Sequence, residues 1–138
     1  MKTAQELFDF CVREVAKQTN PSIVRSPRRL HNGTMVMDTM GVYRRCDGHK
    51  CIIGPLIPDD RYDPSIEGWS LPNSKVVSCL SNDALEHLHL CELMQEAYDH
   101  ACLYTKEDYW SVPWGDHGIA NELMFVADTF GLDNSVLD

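Results

Sequence analysis

Hydrophobic positions near the start of the chain recur at helical spacing. Leu7, Phe8, Cys11, Val12 and Val15 form one stripe, while Arg13, Glu14 and Lys17 fall on the other side. Thr3-Ala4-Gln5-Glu6 stands before the stripe as a capping box, which predicts a helix from Thr3 that ends at Thr19-Asn20-Pro21. The pattern then loses its helical period. Residues 20 to 33, with two prolines and Arg25, Arg28 and Arg29, read as a basic loop closed by an Asn32-Gly33 turn. Two β-prone runs follow, Met35 to Arg45 and Cys51 to Ile57, on either side of Asp47-Gly48. An Asp-Gly turn between apolar runs predicts a β-hairpin there.

Beyond the hairpin, Pro58 to Gly68 reads as an ordered loop with one helical turn, since Pro suits a first turn and Gly an end. Trp69 to Cys79 reads as loop or short extended structure. Ser81-Asn82-Asp83 caps a long helix, Ala84 to Leu103, with Ala84, Leu88, Cys91, Met94, Tyr98, Ala101 and Cys102 on one stripe. Leu85, Leu90, Leu93 and Ala97 widen that face, which suits a central packing element or a subunit contact. Tyr104 to Trp114 is aromatic-rich, suited to core or to stacking on a ligand. A last helix, Asp116 to Phe130, ends at Gly131, with Leu132, Val136 and Leu137 pinning the tail to the core. The expected fold is therefore α+β: a small antiparallel hairpin or sheet packed by three or more helices in a single domain, residues 1–138.

Composition agrees with one globular domain. The chain has 138 residues, 43% of them hydrophobic and 24% charged. No apolar run approaches the ~20 residues of a membrane span, and no apolar leader follows Met1, so a cytoplasmic protein with free thiols is expected. Charge changes the picture more. Residues 1 to 61 hold ten Lys/Arg against seven Asp/Glu, a balance of +3, whereas residues 62 to 138 hold two against fourteen, a balance of −12. The acidic half excludes general nucleic-acid binding, which needs a basic face, and it suits a solvated surface or one that meets a basic partner. Ser26-Pro27-Arg28-Arg29 looks like a minor-groove contact motif, but a single copy in an acidic chain carries little weight.

Candidate chemistry gathers at the predicted hairpin. Arg44 and Arg45 point to opposite faces of a strand, so the covered one needs a carboxylate (Asp59, Asp60, Asp63 or Glu67) or an anionic ligand. Depending on register, Cys46 faces Cys51 or His49. Zinc could take Cys46, His49 and Cys51 with His31, Cys79, His87 or His89, yet a second paired ligand set is missing. Asp59, Asp60 and Asp63 lack calcium-loop spacing. No metal and no cofactor is expected. A Cys/His hydrolase remains a third reading without an orienting residue, and no catalytic residue is assigned. The ligand-binding candidates are Tyr43, Arg44, Arg45, Lys50, Arg28 and Tyr62, which offer charge for a phosphate and rings for a base.

The run Tyr43-Arg44, Gly48, Cys51, Gly54, Leu56-Ile57, Asp59, Tyr62 and Glu67-Gly68, with Val126-Ala127, Phe130-Gly131-Leu132 and Val136-Leu137-Asp138, resembles a widespread family of small uncharacterised bacteriophage and bacterial proteins. The likeness covers about two thirds of the chain. Ile52, Pro55 and the longer basic loop depart from it. The resemblance implies a phage or prophage accessory origin and supplies no catalytic residues. The expected function is sequestration of a small nucleotide signal of a host defence system, uncleaved, by a homo-oligomer; the alternative is an acidic protein-binding inhibitor of a host protein such as a defence protein, or a nucleic-acid mimic, acting through the acidic helical face.

Overall fold

In the computed structural model, residues 2–17, 23–45, 48–103 and 119–137 are described. Helix α1 spans Ala4–Ala16 and starts as expected: the Thr3 side chain accepts from the Glu6 N–H at 3.1 Å, and Glu6 accepts from the Thr3 N–H at 3.0 Å. Its buried residues are Leu7, Phe8, Cys11, Val12 and Val15, the stripe set by the sequence period. Gln5 ties the helix to the far end of the chain. Its amide donates to the Asp133 carbonyl at 2.9 Å and accepts from the Asp133 N–H at 2.8 Å.

The fold is α+β, but the sheet lies upstream of the expected hairpin. Strand β1, Ile23–Arg29, pairs antiparallel with β2, Met35–Gly41, with Arg29 opposite Met35 and Ile23 opposite Gly41. The ribbon turns at Asn32-Gly33. Leu30 and Thr34 are joined by a 2.8 Å backbone bond, and Gly33 takes φ +85°, a conformation that favours glycine. A two-stranded ribbon is marginal alone, and β2 packs against the helix Leu88–Leu103. Residues 23–29, expected as loop, are thus strand; pairing with β2 outweighs the local signal of Pro27 and the arginines.

At the expected hairpin the described residues form one bridge, Arg44 with Lys50, closed by an Arg45 N–H to His49 carbonyl bond of 2.8 Å. This pairing matches neither expected register; Cys46 and Asp47 lie outside the described residues. Cys51–Ile57 is not a strand. It coils into a 3-10 turn, Gly54–Leu56, with Cys51, Ile52, Ile53, Leu56 and Ile57 all buried. A short apolar run buried on every side has no period to distinguish strand from coil.

A second 3-10 turn, Pro64–Ile66, is capped by Asp63, whose side chain accepts from the Ser65 N–H. Helix α2, Ser74–Val77, stands where loop was expected. The long helix is divided. Ser81 caps α3, Asn82–Glu86; His87, at φ −129° and ψ 43°, breaks the course; α4 runs Leu88–Leu103. Helix α5, Ile119–Phe130, packs on α4. It ends at Gly131, φ +65°, where the Leu132 N–H returns to the Ala127 carbonyl at 2.8 Å. The expected start at Asp116 and the aromatic stretch Tyr104 to Trp114 lie outside the described residues. A closing 3-10 turn, Ser135–Leu137, buries Leu137, and one apolar cluster joins α1, the 51–57 coil, α4 and α5.

Candidate functional site

Five of the six candidate residues lie in or beside the 43–67 segment. Glu67 is its centre: one carboxylate oxygen accepts the Tyr43 N–H at 2.7 Å, the other accepts the Arg44 N–H at 3.2 Å and the Tyr62 hydroxyl at 2.6 Å. Tyr43 is buried, and its hydroxyl donates to the Trp69 carbonyl at 2.6 Å. Arg44 donates to the Ile57 carbonyl at 2.7 Å and to Asp59 at 2.8 Å, and its guanidinium carbon sits 4.5 Å from the Tyr62 ring centroid. The Arg44 side chain is 17% exposed but Asp59 is 88% exposed, so the carbonyl of the buried Ile57 and the half-buried Tyr62 ring hold Arg44 more firmly than the ion pair does. Gly54 lets the strands of this knot approach. A Cβ there would lie 2.6 Å from the Tyr43 carbonyl oxygen and 2.8 Å from Lys50 Cβ.

The stretch from Tyr43 to Glu67 is therefore a set of mutually locking residues. Of the two adjacent arginines, Arg44 is the covered one, and its partner is among the carboxylates named from sequence. Arg45 and Lys50 are half-buried beside it. Arg28 lies elsewhere, on β1 near the ribbon tip, where a cavity of about 500 Å³ is lined by Arg28, Arg29, Leu30, His31 and Asn32.

Burial governs the titratable groups here. It pushes the Tyr62 hydroxyl up to about 12, with the Glu67 bond adding to it, and raises Tyr43 and Cys51 further. The Cys91 thiol is pushed up to about 12 and Cys11 is raised well above the usual thiol range, again by burial. A reactive cysteine needs the opposite shift, so Cys51 has the environment of a packing residue. Among the described residues no group of three His, Cys, Asp or Glu is placed to hold a metal ion. His87 instead contacts the Lys2 carbonyl at 3.1 Å, and His89 sits edge-on to Phe130.

A second site was missed from sequence. Between α4, α5 and the 70–71 loop lies a groove of about 590 Å³, walled by Glu92, Glu96, Asp99, Glu122, Leu93 and Phe125 among others, with neither Lys nor Arg among the described residues of its lining. Phe125 is 76% exposed. His100 and Glu122 pair across the helices at 2.8 Å. Burial pushes Asp99 up to about 6, against a lowering by its bond from Gln95. The available signal was the one-signed charge of α4: Glu92, Glu96 and Asp99 share a face and no basic residue other than histidine interrupts it.

Compared with known protein families, characterised proteins and solved structures, the chain finds no match. No helix among the described residues is long and apolar enough to cross a membrane.

Proposed function

We propose that this chain is a non-catalytic protein-binding module whose α4–α5 groove receives a basic segment of a partner, as an accessory inhibitor of a host protein would. The groove itself carries the proposal: four carboxylates and a largely exposed phenylalanine share one concave surface of about 590 Å³ that no lysine or arginine among the described residues lines. An exposed aromatic rimmed by charge is the composition of a docking surface, and carboxylates of one sign select a cationic partner. The half of the chain that builds the groove holds the −12 balance.

Calorimetric titration with a Lys/Arg-rich peptide tests the reading. Wild type binds, more weakly as salt rises, and the Glu92→Lys/Glu96→Lys double variant loses roughly tenfold or more in affinity. A wild type that binds neither basic peptides nor any host defence protein removes the proposal.

One observation favours nucleotide capture as a second reading: the ribbon-tip cavity, lined by Arg28, Arg29 and His31. Arg44 supports it in part: its Nη2 is already held by the Ile57 carbonyl and Asp59, while its Nε is buried without a hydrogen-bond partner. Stabilisation by a cyclic or ADP-ribose-type nucleotide, lost in Arg28→Ala, would favour this reading. Native mass spectrometry decides whether either activity resides in a homo-oligomer.

A further inference from the structure

We propose that the α4–α5 groove is built for a single arginine side chain of its partner, seated with its guanidinium against the Asp99 carboxylate and the Gln95 amide oxygen and stacked on Phe125. The proposal rests on the protein-docking reading above and names the residue recognised.

Gln95 is the observation that goes beyond an acidic surface. It lines the groove, is only 8% exposed, and its Oε1 is buried without a hydrogen-bond partner. The amide nitrogen donates to Asp99 Oδ1 at 2.8 Å. That bond orients the amide, because the opposite orientation would set oxygen against oxygen. A buried acceptor left unmade costs free energy, and here it stands beside a carboxylate that burial has also deprived of water. The unpartnered Gln95 oxygen, together with an Asp99 carboxylate that has a donor on Oδ1 only, complements a group with several N–H donors in a fixed fork. Guanidinium has that geometry and an ammonium does not.

Among the described residues, the groove lining around Asp99 includes Glu92, Gln95, Glu96 and His100 on α4, Glu122 and Thr129 on α5, and Ser70 on the loop, and the Asp99 charge also reaches the buried, neutral Tyr43 and Cys51. The one basic side chain among them, His100, is paired with Glu122. Phe125, on the wall of the same groove, supplies the ring on which a planar cation stacks. Because Asp99 titrates near 6, protonation should weaken the seat as pH falls through that value.

The test uses two peptides that differ only in Arg against Lys, together with N-methylguanidinium as a minimal probe, followed by calorimetry and by amide chemical shifts. The Arg peptide should bind roughly tenfold to a hundredfold more tightly than the Lys peptide. That preference should vanish in Asp99→Asn and in Gln95→Leu, and N-methylguanidinium should move the Gln95 and Asp99 signals. Melting curves establish that both variants fold; Asp99→Asn keeps the acceptor for Gln95 and is the safer of the two. Equal affinity for the two peptides, or a preference that survives both substitutions, overturns the arginine seat and leaves the docking reading standing. If neither peptide binds yet N-methylguanidinium still moves Gln95 and Asp99, the docking reading falls and the guanidinium site stands. If nothing binds, both fall.

Discussion

The Arg44 guanidinium carbon lies 4.5 Å from the centroid of the Tyr62 ring, and the hydroxyl of that ring donates to Glu67 at 2.6 Å. Glu67 thus closes a circuit that also takes the backbone N–H groups of Tyr43 and Arg44. Glu67→Ala leaves three donors without an acceptor, and at roughly 1 to 3 kcal/mol for a buried unmade bond the loss should be about 3 kcal/mol. Urea unfolding measures it; a loss below about 1 kcal/mol would mean that water replaces the carboxylate freely.

Gly54→Ala should destabilise the fold by about 2 kcal/mol through overpacking. The added methyl meets the Tyr43 carbonyl oxygen at 2.6 Å, and a backbone atom cannot rotate aside. Thermal melting of this variant beside Gly48→Ala separates contact from conformation, because a Cβ at Gly48 meets nothing within 4 Å and its φ of +93° is the strained feature.

Much of this was legible in the chain, and the errors have physical causes. The Thr3 capping box and the Leu7–Val15 stripe are local signals, and α1 follows them. Asn32-Gly33 and Asp47-Gly48 are equally good turn dipeptides; what decides between them is whether the flanks can pair for several residues. Ile23–Arg29 can, despite Pro27, whereas Gly54-Pro55 interrupts the run after Cys51. Helical spacing passes smoothly through His87, so the break between α3 and α4 left no trace in the pattern. At the site, Tyr43, Arg44 and Tyr62 lie together, but their contacts turn on Glu67 and Trp69, more than twenty residues from Tyr43. The groove needed two helices to be placed side by side, and Gln95 shows nothing unusual until its burial is known.

Stability should fall as pH rises through the range between the ordinary Asp value of 3.8 and about 6. Asp99 is raised in the folded chain, so the native state holds more protons than the unfolded state in that window, and the linkage slope is negative there. After solvent screening the contribution is of the order of 1 kcal/mol. Asp99→Asn should remove this slope and melt higher than wild type at pH 8. An unchanged pH profile in the variant would show that Asp99 is better solvated than its contacts indicate.

Cys11, Cys51 and Cys91 should resist alkylation in the native protein at pH 8, since burial keeps all three protonated and out of reach. Mass spectrometry after a short iodoacetamide pulse should find them modified only once urea unfolds the chain. Rapid native labelling of Cys51 would reopen the hydrolase reading.

The paired bonds between Gln5 and Asp133 join positions separated by almost the whole chain. During synthesis α1 emerges 128 residues before the position that clasps it. Its apolar stripe must therefore wait, exposed on the nascent chain, until the closing turn leaves the ribosome. Ribosome-stalled fragments ending before residue 133 should leave α1 open to protease, and release of the longer chain should close it.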